Sequence, residues 1–224
     1  MPVNPAAIIE ITAFDWVPDF ARGFVRDLRP RWACEEVGLD YAERLISAVD
    51  RPSEHFRDQP WGQVPVLRDG DVHLFESGAI LLHLAEKDER LLPRDPQGRA
   101  TVTSWLFAAY NSVEPAMFEL STVDLFAAGE PWAKLRRPGL IDFIHTRFGK
   151  LAEALGDRPY LAGVFSVADI AMATVLREGI ESGAVAEHPQ LEAYLARCLE
   201  RPAFDRALKA QLAAFREEAG PAER

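Results

Sequence analysis

Sulfur is scarce in this chain of 224 residues, which carries two cysteines and three methionines. Cys34 and Cys198 lie far apart and without metal-ligand spacing, which excludes a disulfide scaffold and a zinc ribbon. Two buried, reduced thiols are the expectation. Basic charge is also in deficit: 25 Lys and Arg against 35 Asp and Glu leave a formal charge of −10. That balance excludes nucleic acid and acidic membrane surfaces as partners. Long apolar runs are missing too. No stretch approaches the roughly 20 residues of a membrane span, and the first residues have neither the basic flank nor the apolar core of a leader. The cytoplasm is the expected compartment. Histidine is sparse, and His83 with Glu86 finds no third or fourth ligand nearby, so no metal is expected. The chain has no internal repeat and no low-complexity tract.

What is present is apolar content of 48%, enough for one large domain or two modest ones. Ile8–Phe14 is short and β-branched and predicts a buried first strand. Helical character runs from about Phe20 to Val37 and stops at Gly38, a C′ glycine with Leu39 behind it. Tyr41–Ile46 reads as a second strand and Pro52–Asp58 as a short helix or turn. Beyond residue 98 the pattern is helical. Trp105, Leu106, Ala109 and Val113 fall at helix spacing in a segment reaching about Leu120. Residues 121–138, with Gly129, Pro131 and Pro138, read mostly as loop. Leu140, Phe143, Ile144, Phe148, Leu151 and Leu155 mark an amphipathic helix. Ser166 and Asp169 form a capping-box pair with Phe165 and Ile170 as its staple. Leu191–Leu199 gives another helix, and Phe204, Leu208, Leu212 and Phe215 mark a last one. Charge and proline replace periodicity near 88–97. The predicted division is 1–87 as an α/β domain, 88–97 as a linker and 98–224 as an all-helical domain.

The segment from Gly62 to Leu84 carries the most chemistry. Pro65 has no N–H and belongs at a strand start or edge. Val66-Leu67 leads to a turn with Asp69-Gly70 at its centre, and Leu74-Phe75 returns as a second strand. Ser77 stands at the N-cap of a helix with Ile80, Leu81 and Leu84 on one face. Its hydroxyl and the N–H groups beyond it can hold a carboxylate. A docking edge beside an anion-binding helix start suits a small peptide with a free carboxylate.

Gln63-Val64-Pro65-Val66-Leu67 and Glu76-Ser77 resemble the glutathione-binding half of the cytosolic glutathione transferase family. Three further stretches carry the resemblance over roughly residues 7–205. Trp32-Ala33-Cys34-Glu35-Glu36-Val37-Gly38-Leu39 is similar to the end of the family's first helix. Leu91–Pro96 is similar to its inter-domain linker. Tyr160-Leu161-Ala162-Gly163 with Ser166–Ile170 is similar to the capped helix of its second domain. The resemblance implies a thioredoxin-like α/β domain followed by an all-α helical bundle, and glutathione as co-substrate. Val64, before the family's cis-proline Pro65, would pair with the cysteinyl backbone. Ser77 and Glu76 would meet the γ-glutamyl carboxylate and ammonium. Gln63 and Gln59, with His55 behind them, would reach the glycyl carboxylate. A hydrophobic electrophile would lie near Phe107, Ala108, Asn111, Ser112 and Glu114. A homodimer is implied by the resemblance alone.

One region departs from the family. Many members place Tyr, Ser or Cys just after the first strand, but Ala13–Ala33 contains no Tyr, Ser, Thr or Cys. It offers Asp15–Gly23 and then Arg26, Arg29 and Arg31. On a helix, Arg22, Arg26 and Arg29 would share a face. Arg22 is the candidate for stabilising the thiolate, with the Trp16 indole as a second donor; a solvated arginine face is the other reading. Pro30 either kinks one helix running from Phe20 or sits in the first turn of a shorter helix capped by Asp27. In the second case the stripe dissolves. Cys34 lies inside the helix on both readings and is set aside as a nucleophile. The expected activity is conjugation of the glutathione thiol to hydrophobic electrophiles. The alternatives are a glutathione-dependent disulfide or peroxide reductase and a non-catalytic binding module.

Overall fold

The computed structural model describes residues 3–180, 183–217 and 220. Four strands, β1 (Ile9–Phe14), β2 (Tyr41–Ile46), β3 (Val66–Asp69) and β4 (Val72–Phe75), form one sheet in the order β2-β1-β3-β4. β1 and β2 are parallel, from Ile9 opposite Tyr41 to Phe14 opposite Ile46, whereas β3 is antiparallel to both its neighbours. A parallel pair needs a crossover, and helix α1 (Leu28–Val37) supplies it. Asp69 pairs with Val72, so the hairpin's central residues are Gly70 and Asp71, one step later than expected. Gly70 adopts φ 59°, the positive φ that both favoured hairpin turns require at that position. Helices α2 (His55–Asp58) and α3 (Ser77–Ala85) complete a thioredoxin-like arrangement.

The predicted helix from Phe20 is corrected. Residues 22–27 form turns, and α1 begins at Leu28 with Pro30 in its first turn. Asp27 occupies the cap position without capping; its carboxylate instead pairs with Arg31 at 2.7 Å. Arg22, Arg26 and Arg29 therefore share no helical face. Arg29 and Arg31 are both buried.

Packing divides the chain differently from the sequence boundaries at 87 and 98. One compact unit takes residues up to Leu91 together with those from Arg201 onward. Helix α9 (Pro202–Ala214) accounts for this. Its Phe204 ring meets Trp32 edge-on at 4.8 Å. Arg206 reaches Glu35 at 2.6 Å, and Arg201 clasps the Glu36 carboxylate at 2.6 and 2.7 Å. The buried face of α9 is Ala203, Phe204, Ala207, Gln211 and Ala214, while Leu212 is exposed. That stripe is displaced from the predicted one because polar Gln211 points inward to the Asp27 carboxylate.

The second unit, Leu92–Glu200, is helical. It contains α4 (Pro96–Ala108), α5 (Glu114–Ser121), α6 (Pro131–Leu155), α7 (Val167–Arg177) and α8 (Pro189–Leu199). Single π-helical turns, Ala109–Val113 and Thr122–Phe126, follow α4 and α5. The loop predicted over 121–138 shrinks, because α6 starts at Pro131 and runs through Pro138. Two forked ion pairs, Arg136 to Glu119 and Arg137 to Asp124, fasten the turn just before that proline. No described helix is long and apolar enough to cross a membrane.

Helix α7 is the core of this unit, and its start is fixed by one carboxylate. Asp169 accepts from Leu161 N–H at 3.0 Å, Ser166 N–H at 2.9 Å, Ser166 Oγ at 3.1 Å and Tyr194 Oη at 2.9 Å. All four donors are satisfied inside the protein, so removing the acceptor strands them. Asp169→Ala is expected to cost about 3 kcal/mol or more, with Asp169→Asn intermediate. The urea midpoint at neutral pH measures both.

Candidate functional site

The candidate site is built on the first unit, where the N-terminus of α3 follows β4. A helix start leaves its first N–H groups without intrahelical partners, and a negative group is favoured there. Glu76, not Ser77, takes the cap position, at φ 71° and ψ 116°, so Ser77 is the first helical residue; Glu76 is the single non-glycine residue with positive φ among the described residues. It is also exposed. No packing demand holds an exposed carboxylate in that conformation, and strain of this kind concentrates where a backbone must present itself to a ligand. Ser77 beside it is buried, and its Oγ lies 3.1 Å from Arg29 Nη1. Guanidinium groups only donate, so Ser77 Oγ accepts from Arg29. Arg29 comes from the first turn of α1 and is only 2% exposed. A helix start, a hydroxyl and a buried cation thus converge from two helices.

A second edge lies before β3. The Val64–Pro65 peptide bond is cis. Val64 and Pro65 are buried, while the Gln63 side chain faces solvent. Gln59 is turned inward at 2% exposure, and its Oε1 accepts the Trp61 N–H at 2.6 Å. It closes a turn of its own chain. His55 lies wholly inside, with Nε2 2.8 Å from the Gln63 carbonyl.

The loop after β1 carries Trp16 and Arg22 and is held by the end of the chain. Arg22 Nη1 donates to Glu217 Oε1 at 2.8 Å, and Nε lies 3.2 Å from Asp19. Its guanidinium also stacks 5.8 Å from the Phe215 ring centre. The two carboxylates keep the guanidinium pKa above its ordinary value, the Glu217 bond first among the causes. Arg216 N–H bonds the Asp15 carbonyl at 2.7 Å, and a Cβ on Gly220 would fall 2.7 Å from Trp16 Nε1. Cys34 is fully buried in α1, and burial pushes its thiol pKa well up, which makes it inert.

In the second unit, Phe107 is exposed on α4 and Asn111 is exposed in the π-helical turn after it. Glu114 is buried at the start of α5. Among the described residues, no group of three or more His, Cys, Asp or Glu side chains is placed to hold a metal ion.

Sequence reasoning brought Ser77, Glu76, Val64 and Gln63 together but missed Arg29 and Glu217. Arg29 looked like part of a solvated stripe. Glu217 carried no signal at all, since its partner lies 195 positions away.

The four-stranded sheet, the cis-proline before β3 and the helix that starts at Ser77 define a thioredoxin-like α/β unit. Residues 20–86 match the family described as glutathione S-transferase, N-terminal domain. The chain is similar to glutathione S-transferase 4 of Zea mays, at 34% identity over 155 residues, covering 64% of this chain and 68% of that one. It is also similar to glutathione S-transferase 1 of Zea mays, at 29% identity over 194 residues, covering 78% and 86%. Among solved structures, a glutathione transferase of Burkholderia graminis with two glutathione molecules bound per subunit superposes with a TM-score of 0.80. The identity there is 27%, over 90% of this chain and 88% of that one. A glutathione transferase of Pseudomonas putida holding one glutathione disulfide per subunit gives 0.78 at 25% identity, over 90% of each chain. The chain belongs to the glutathione S-transferase family.

Two predictions test the anion site. Glu76→Gly relieves the positive φ and is expected to stabilise the fold by about 1 kcal/mol while weakening glutathione binding; thermal unfolding and calorimetry read the two effects separately. Ser77→Ala and Arg29→Met should each weaken glutathione binding about tenfold, and the double variant by less than the product, because the two groups act through one hydrogen bond. A strictly additive cycle would separate Arg29 from the site.

Proposed function

We propose that this glutathione transferase joins the glutathione sulfur to hydrophobic electrophiles. The observation that carries the reading is the buried Arg29 donating to Ser77 at the start of α3. A cation behind a hydroxyl at a helix N-terminus is matched to a carboxylate, and a γ-glutamyl group offers one beside an ammonium that the exposed Glu76 complements. The cysteinyl backbone then pairs with Val64, and the thiol is directed toward the loop after β1. Gln63 is the side chain left to meet the glycyl carboxylate.

In this mechanism the thiol gives its proton to solvent and the thiolate attacks the electrophile, forming a carbon–sulfur bond as the leaving group departs. Arg22 stabilises the thiolate, with the Trp16 indole as a second donor. Because Arg22 already pairs with Asp19 and Glu217, the ligand must share the guanidinium with two carboxylates. Phe107 and Asn111 are the proposed contacts for the hydrophobic substrate. A cytoplasmic homodimer is the proposed state.

One observation favours a second reading. No hydroxyl or thiol side chain lies between Ala13 and Ala33, and a Pseudomonas putida relative binds glutathione disulfide. In a reductase, one glutathione thiolate would attack a substrate disulfide and release a thiol. A second would resolve the mixed disulfide, leaving glutathione disulfide and the other thiol.

Calorimetry with glutathione, followed by turnover of a generic aryl halide and of a mixed disulfide, tests both. Aryl-halide conjugation is the expected outcome. Binding with disulfide turnover alone supports the second reading, and no binding at millimolar glutathione removes both. Arg22→Ala is expected to shift the pH profile of kcat/KM toward higher pH, because losing the cation raises the apparent pKa of the bound thiol. An unchanged profile takes Arg22 out of the mechanism.

A further inference from the structure

Helix α2 is one turn long, yet its His55 is wholly buried. Its Nε2 lies 2.8 Å from the Gln63 carbonyl oxygen. A carbonyl only accepts, so Nε2 is the donor in this bond. Nδ1 is buried without a hydrogen-bond partner among the described residues. An unpartnered polar atom in the interior is costly, and an apolar ring would fill the same space without that cost. The one hydrogen bond the imidazole makes among the described residues is to the Gln63 carbonyl.

The rest of the loop is tied to the same turn. Gln59 N–H bonds the His55 carbonyl at 2.8 Å, Gly62 N–H bonds the Gln59 carbonyl at 2.9 Å, and Trp61 N–H bonds Gln59 Oε1. Gly62 has φ 66°, and the Phe56 ring stands where its Cβ would be, 2.6 Å away. Between these ties and Pro65 lies a single residue, Val64. It is buried, and among the described residues neither its N–H nor its C=O has a hydrogen-bond partner.

We propose that His55 is a positioning residue for glutathione: by holding the Gln63 carbonyl inward, it aims the Val64 N–H at the ligand backbone. The peptide joining Gln63 to Val64 is trans. In a planar trans peptide, the N–H points opposite to the carbonyl it is conjugated with. Fixing the carbonyl toward His55 therefore fixes the Val64 N–H away from α2. Without that bond the plane can rotate, and the donor must be reordered each time a ligand binds. This rests on the glutathione reading above, and it assigns His55 to backbone positioning in place of the glycyl carboxylate.

The test compares His55→Phe, which keeps a ring and loses the donor, with His55→Gln, whose terminal amide restores an N–H at similar reach. Both are followed by calorimetry with glutathione, by steady-state kinetics with glutathione and an aryl halide, and by thermal unfolding. The expected result for His55→Phe is a rise of about tenfold in Kd and KM for glutathione, the worth of one aligned hydrogen bond. Its KM for the aryl halide and kcat at saturating glutathione should be unchanged, and His55→Gln should recover most of the loss. Glutathione affinity within twofold of the parent in a folded His55→Phe overturns the inference, as does His55→Gln binding no better than His55→Phe. Should His55→Phe fail to fold, His55→Asn, too short to reach the carbonyl, takes its place with the same expectations. No binding by the parent chain overturns the glutathione reading and this inference together, whereas parental binding that ignores His55 overturns this inference alone.

Discussion

The ion pair between Asp27 and Arg31 is the constraint on which the first unit depends. Both side chains are almost wholly removed from water. Burial pushes the Asp27 carboxyl up, with Arg31 and Gln211 pulling against it. Burial also opposes the Arg31 charge, but Asp27 and Glu43 more than offset it. Removing one member of such a pair leaves an uncompensated charge inside, which typically costs about 3–5 kcal/mol. The pair therefore specifies how neighbouring elements meet. Arg31 reaches Glu43 on β2, and Asp27 takes Gln211 from α9. α1 begins at Leu28 beside these contacts, and its first turn carries Arg29 to Ser77.

Seen from the ligand, three short helix starts and turns share the work. In the proposed site, α3 would offer its start to an anion, α1 the charge behind it, and α2 the bond that steadies the edge before β3. Each contribution is a polar group held inside the protein by a partner from another segment. Such groups change little when a ligand arrives, so less of the binding energy is lost to ordering them. The loop after β1 is different. Its arginine is held by exposed carboxylates, and pairs of that kind are worth little in water. It is the part of the site most easily rearranged by a charged ligand.

Much of the fold was legible because it is written in local patterns. The Gly38 stop and the Ser166–Asp169 box each depend on neighbours within a few positions, and both were read correctly. The hairpin turn was found but placed one residue early, because Asp-Gly and Gly-Asp lie in adjacent positions and register decides between them. Pro138 misled the reading of 121–138, since α6 runs through it, beside ion pairs that join Arg136 and Arg137 to residues 17 and 13 positions earlier. Arg29 and the inward Gln211 were illegible for the same reason. A buried polar residue declares itself only through its partner, and these partners are remote in sequence.

The return of α9 to the first unit has a practical corollary. Phe204 covers Trp32, and Gln211 completes the hydrogen bonding of Asp27. A fragment ending near Leu91 would leave an indole and a half-satisfied carboxylate facing solvent, however well its sheet was formed. The glutathione-holding half is thus not a portable module. A chimera that exchanges it between relatives must carry α9 along.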